Sequence, residues 1–265
     1  MAVQTERKAE FAEMSKPIHD LINANLKKEK TVLEDIRKNP EGMEYKKIDL
    51  AEDMIYITTL YMSINTLSLK MLNVKNNDAL NDARKIIYKA IIYLEEVVTN
   101  FVDYSYSELA AKLEKIVDMK IDKRFYLVRK LGLAIQLLSD ALGDNSKWKW
   151  SFVELRARYA CVAKNLLDMK AAGKDYFDPS AEDYDNTVFY VRLVRQLLDK
   201  SAMDYRDKYE LMSRSEEDMQ KAINFLIALR RIAMILGEND EAEEIKKKAQ
   251  VWKTKMETDQ KQNKK

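Results

Sequence analysis

The sequence predicts an all-α protein, an array of antiparallel α-hairpins with about ten helices, stacked as a solenoid or gathered into an irregular bundle. The scarcity of turn-formers is the first reason. The 265 residues hold 5 Gly and 3 Pro, where average usage would supply roughly 18 and 13, and strand folds draw on those residues for hairpins, bulges and phosphate loops. Composition is the second: 46% hydrophobic residues provide for a core and 34% charged residues for its solvated faces. Spacing is the third, because apolar residues recur at steps of three and four through most of the chain.

In chain order, Thr5 to Lys38 carries one stripe of Ile18, Leu21, Ile22, Leu26, Leu33 and Ile36, with Pro17 marking a helix start or a kink. Asn39-Pro40-Glu41-Gly42 is a loop, since the residue before Pro leaves the α region and Gly accepts positive φ. A long helix follows from Ile48 to Leu72. Its uncharged run, Met54 to Leu69, is 16 residues long and includes three Thr and two Ser; a bilayer span wants about 20 mainly apolar residues, so this is a buried helix. After the polar break Asn73 to Asn77, Asp78 or Asn81 caps a helix carrying Ala83, Ile87, Ala90, Ile91, Leu94 and Val98.

Tyr104-Ser105-Tyr106-Ser107 interrupts, and Ser107 before Glu108 starts a short helix with Leu109, Leu113 and Ile116. Another begins near Asp122 and stops at Leu142-Gly143. The next runs from Trp148 to Ala172 and stops at Gly173, after which Asp178-Pro179 restarts the pattern as cap and first turn. Ser213 and Ser215 precede Glu216, Glu217 and Asp218, a helix N-terminus favoured by the macrodipole, and that helix runs to Leu236-Gly237. A last helix begins near Asp240. After Ile245 the chain has eight Lys against two acids, a local charge of +6. The breaks divide the chain into an N-terminal helical segment, 1–42, a helical-hairpin domain, 43–257, and a basic disordered tail, 258–265.

Leu229, Leu236, Gly237, Ala242 and Ala249 occupy the positions of one tetratricopeptide repeat, so residues 226–249 resemble a hairpin of that family. Gly237 permits the turn, and the two alanines allow close helix approach. Arg230, Ala233, Lys246 and Thr254 depart from the pattern, and no 34-residue register extends the match over the chain. The resemblance implies a protein-binding solenoid in place of an enzyme; an ordinary α-hairpin puts small residues at the same places.

Candidate chemistry is sparse. His19 is the only histidine and Cys161 the only cysteine, so neither a His-pair metal site nor an intrachain disulfide can be written. No glycine lies within five residues of another, which excludes the Gly-rich nucleotide cradles. Asp175, Asp178, Glu182, Asp183 and Asp185, flanked by Tyr176, Phe177, Tyr184 and Tyr190, form the densest acidic group. It lacks the order of a calcium loop and reads as a solvated helix start. No catalytic residue, cofactor or metal is expected.

The remaining unusual segment is Lys147-Trp148-Lys149-Trp150-Ser151-Phe152, followed by Arg156. Trp148 and Phe152, and Phe152 and Arg156, share a helical face, so Trp148, Trp150, Phe152 and Arg156 are the candidate partner-binding residues; a core seam with cations reaching solvent is the alternative. With 46 basic and 44 acidic residues the formal charge is +2, which gives no field to draw the whole protein onto nucleic acid. The expectation is a cytoplasmic, non-enzymatic scaffold or adaptor that binds a protein partner through helix-lined grooves. Its alternatives are a structural subunit of a larger assembly, built by self-association, and a binder of nucleic acid or anionic surfaces through local basic segments.

Overall fold

The structure is a computed structural model that describes residues 2–143 and 148–263. The described residues form ten α-helices and one π-helical turn and contain no strand. They fall into two compact units, Met1–Val97 with Leu127–Ser146, and Val98–Tyr126 with Lys147–Lys265.

In the first unit, helices α1 (Ala2–Lys38), α2 (Met43–Leu72) and α3 (Asn77–Val97) follow one another through short loops. α2 pairs with α3, and α1 packs on α2. The stripe of α1 is buried at Ile22 and Ile36 and half-buried at Ile18, Leu26 and Leu33, whereas Leu21 falls off it and is exposed. Pro17 lies inside α1. It and Glu13, whose carbonyl loses its intrahelical donor there, are both exposed, so water can take up the carbonyl and the helix continues. Glu29 sits in the buried stripe because Lys89 of α3 donates to both its oxygens at 2.9 Å and the Tyr93 hydroxyl donates to Oε1. The turn after α2 is fixed by two buried polar side chains: Asn65 Oδ1 accepts from the Asn76 amide at 2.9 Å, and the Ser68 hydroxyl donates to the Val74 carbonyl at 2.8 Å. Asn76, in place of the expected Asp78 or Asn81, caps α3 by accepting from the Ala79 amide at 3.0 Å.

The second unit holds α4 (Tyr106–Glu114), the start of α5 (Ile121–Leu142), α6 (Lys149–Leu166), α7 (Met169–Asp175), α8 (Tyr184–Lys208), the π-helical turn Tyr209–Ser213, α9 (Glu216–Ile235) and α10 (Asn239–Asn263). α8 pairs with α9 and with α6, α9 with α10, and α7 touches α8 and α9. The α9–α10 hairpin turns at Gly237, whose φ of +74° favours glycine, and buries Leu229, Leu236 and Ala242 but leaves Ala249 half-buried. Gly173, in contrast, is not a stop. Asp168 ends α6 early by capping a new helix, and Gly173 lies inside α7, where a Cβ would come within 3.1 Å of the Ile235 side chain. Nor does Asp178 start α8: its carboxylate turns back to accept from the Ser180 amide at 2.9 Å and hydroxyl at 2.6 Å, and α8 begins at Tyr184.

Candidate functional site

The second unit contains a non-helical stretch, 98–105, whose carbonyls need donors from elsewhere. Two helices supply them. At the end of α6, Asn165 Nδ2 donates to the carbonyls of Thr99 at 3.0 Å and Phe101 at 3.1 Å, and Lys164 Nζ donates to that of Tyr104. From α9, Arg231 donates to the carbonyl of Asp103. This explains why a lysine and an asparagine are buried in the otherwise apolar run Ala160–Leu167.

The stretch then enters α4 through a capping box: Ser105 Oγ accepts from the Glu108 amide at 3.4 Å, and Glu108 accepts from the Ser105 amide at 2.6 Å. The box begins at Ser105, two residues before the expected Ser107, because only Ser105 has an acid three residues on. It places Tyr106 in the first turn, where its hydroxyl donates to Asp168, the same carboxylate that caps α7 by accepting from Lys170 at 3.0 Å and Ala171 at 3.1 Å. Burial and the neighbouring Asp168 carboxylate raise the Tyr106 phenol, so it stays a donor.

These constraints leave a cavity of about 250 Å³ walled by Leu109, Leu167, Ile232 and Ile235 and edged by Tyr104, Tyr106, Lys164 and Arg231. Lys164 is 7% exposed. Burial pushes its amine down to about 8; Arg231 pushes the same way, against Cys161, Asp103 and Glu108. Among the described residues neither Lys164 nor Arg231 has a carboxylate at ion-pair distance, and each has one carbonyl as its hydrogen-bond partner. An ammonium has three donors and a guanidinium five, so both cations keep donors for a ligand. The arrangement can hold an anion against an apolar body.

A wider groove of about 830 Å³ is lined by Tyr106, Asp168, Arg124, Asp175, Glu182 and Asp183 among others. It gathers three members of the acidic group, while Asp178 is committed to Ser180 and Asp185 is exposed elsewhere on α8. No three His, Cys, Asp or Glu among the described residues are placed to hold a metal ion. Arg124, buried at the back, donates to the carbonyls of Met119 at 2.6 Å, Ile116 at 2.9 Å and Leu166 at 3.2 Å, so its charge is taken up by structure.

The aromatic segment is divided. Trp148 and Trp150 are half-buried, with the Lys149 amine 5.1 Å from the Trp150 ring centroid. Phe152 is buried in the core, and Arg156, half-buried, has Nε 3.4 Å from Asp204 of α8. Lys147 lies outside the described residues. His19 is exposed on α1, and Cys161 is buried. No described helix is long and apolar enough to cross a membrane. Lys164, Arg231 and Tyr106 are absent from the sequence-predicted set, although a charge inside Ala160–Leu167 is a signal the sequence carries.

One family model, that of the TP0443 family, matches residues 7–260. The resemblance expected from the sequence covers one hairpin and no whole-chain family; the match corrects this, because it spans nearly the full chain and is not to tetratricopeptide repeats. No curated protein and no solved structure matches.

Proposed function

The chain belongs to the TP0443 family, and we propose that it is a non-enzymatic helical scaffold that binds a protein partner, with the cavity of the second unit as the docking point. One observation carries the reading: Lys164 and Arg231 edge an apolar cavity with no carboxylate partner of their own among the described residues. A buried cation such as Lys164, retained without a counter-charge, is costly, and a partner that brings an anion with an apolar body offsets that cost on binding, while the exposed Arg231 adds a second positive group at the edge. The partner is therefore acidic and apolar at its contact point. Met234 and Ile235, 51% and 47% exposed, carry the apolar wall onto the surface of α9, which gives the partner more to cover than the cavity alone. Trp148 and Trp150 belong to the same reading as a second contact.

Site-specific photocrosslinking tests it. A benzophenone side chain at Met234, in the full chain in its native host, is expected to give a discrete adduct that disappears with Arg231→Gln and is absent when the probe is at exposed Val251 of α10. Identical adducts from both positions, or an adduct indifferent to Arg231→Gln, would remove the cavity from the interface.

A further inference from the structure

We infer that the group the cavity captures is the partner's carboxyl terminus: a free main-chain carboxylate on Lys164 and Arg231, with the apolar side chain of that last residue inside. The assignment rests on the docking reading above and adds the chemistry of the occupant. Charge comes first. Two cationic side chains edge one cavity, and each uses one N–H on a carbonyl, of Tyr104 and of Asp103 respectively. A carboxylate presents two oxygens and about four acceptor sites, so it can accept from both cations at once.

Size comes second. A cavity of about 150 Å³ holds benzene and pockets for whole ligands span about 300–1,000 Å³, so about 250 Å³ encloses one large side chain and is small for a nucleotide or a flavin. The third argument is that charge and apolar wall belong to one cavity. The apolar walls, Leu109, Leu167 and Ile232, line the same cavity that Lys164 and Arg231 edge. In a C-terminal residue the carboxylate and the apolar side chain leave the same carbon. In an internal Asp or Glu the carboxylate ends its own stem, and the apolar group belongs to a different residue. Finally, the exposed Met234 and Ile235 at the edge of the cavity extend the apolar surface outward. A short free acid would leave that surface uncovered; the residues preceding a chain terminus would lie on it.

Four small probes separate these sources, read by the methyl resonances of Met169 and Met234, both of which line the cavity, in the full chain. N-acetyl-leucine mimics the terminus, N-acetyl-leucinamide removes its charge, N-acetyl-glutamyl-leucinamide moves the charge to a side chain, and hexanoate is a free acid of similar size. N-acetyl-leucine is expected to shift both methyls and to bind about tenfold more tightly than its amide, because the charge-assisted hydrogen bonds are lost with the charge. Arg231→Gln and Lys164→Met should each bring the acid down towards the amide. Arg231 is exposed, so that variant keeps the test valid if Lys164→Met does not fold. Equal binding of acid and amide, equal binding of the glutamyl probe, tighter binding of hexanoate, or no shift with any probe would each overturn the assignment. A Met234 crosslink that persists beside such a result leaves the docking reading standing and removes only the carboxyl terminus.

Discussion

Replacing Lys164 by Met exposes how much its buried charge costs. The side chain is 7% exposed, and its amine is held at about 8 against an ordinary 10.5. That gap is worth about 3 kcal/mol of preference for the neutral form in the folded state. Because the folded value is the lower one, the unfolded chain binds more protons between about pH 8 and 10.5, and stability contributed by this group rises across that window. Methionine keeps the length of the side chain and removes the charge. It also strips a donor from the Tyr104 carbonyl, a loss that does not depend on pH. The informative quantity is therefore the stability difference between wild type and Lys164→Met, measured at pH 7 and again at pH 10: wild type should gain about 2–3 kcal/mol on the variant between the two. Urea unfolding followed by tryptophan fluorescence is the assay, since Trp148, Trp150 and Trp252 all lie in the second unit and report it alone. A difference that stays flat with pH would mean that the amine is solvated and that the cavity holds no buried charge.

Three further perturbations probe the framework. Arg124→Met strips donors from the carbonyls of Ile116, Met119 and Leu166 at once and should cost at least about 3 kcal/mol in the same urea assay; a loss below about 1 kcal/mol would show that water replaces the guanidinium. Ser105→Ala removes the cap of α4 and should cost about 1 kcal/mol, seen as faster amide exchange at Tyr106 to Glu108. Glu29→Gln weakens the tie between α1 and α3; because Lys89 is 45% exposed and water recovers its charge, about 1–2 kcal/mol is expected, read as lost exchange protection in α1 with α2 and α3 little changed.

The helical class was legible because glycine and proline are scarce and because the buried positions of α2, α3 and α9 keep the helical step. Boundaries were less legible where one residue type has two uses. Gly173 reads as a helix stop, yet its missing Cβ serves the approach of α7 to Ile235. Ser105 and Ser107 both precede Glu108, and the spacing of three, not adjacency to the acid, selects the cap. Trp148 and Phe152 share a helical face by register, but only Phe152 turns into the core. The cavity itself had only a partial signal. A lysine in Ala160–Leu167 marks an anomaly, whereas its acceptor, Tyr104, is 60 residues away and the Arg231 to Asp103 bond spans 128, and nothing local encodes such pairings.

Those long-range bonds bear on how the chain is made and how it can be cut. Both units are assembled from two pieces of sequence, and along the chain 127–146 of one comes between the two pieces of the other. During synthesis the carbonyls of 98–105 emerge well before Lys164 and Asn165, and Arg231 follows later still. They must stay hydrated, or be held by something else, until α9 leaves the ribosome. For the same reason a fragment beginning at 147 would contain α6 to α10 but lack α4, and with it one wall of the cavity. No single cleavage separates one unit from the other, so neither unit can be released as one continuous fragment free of the other's residues.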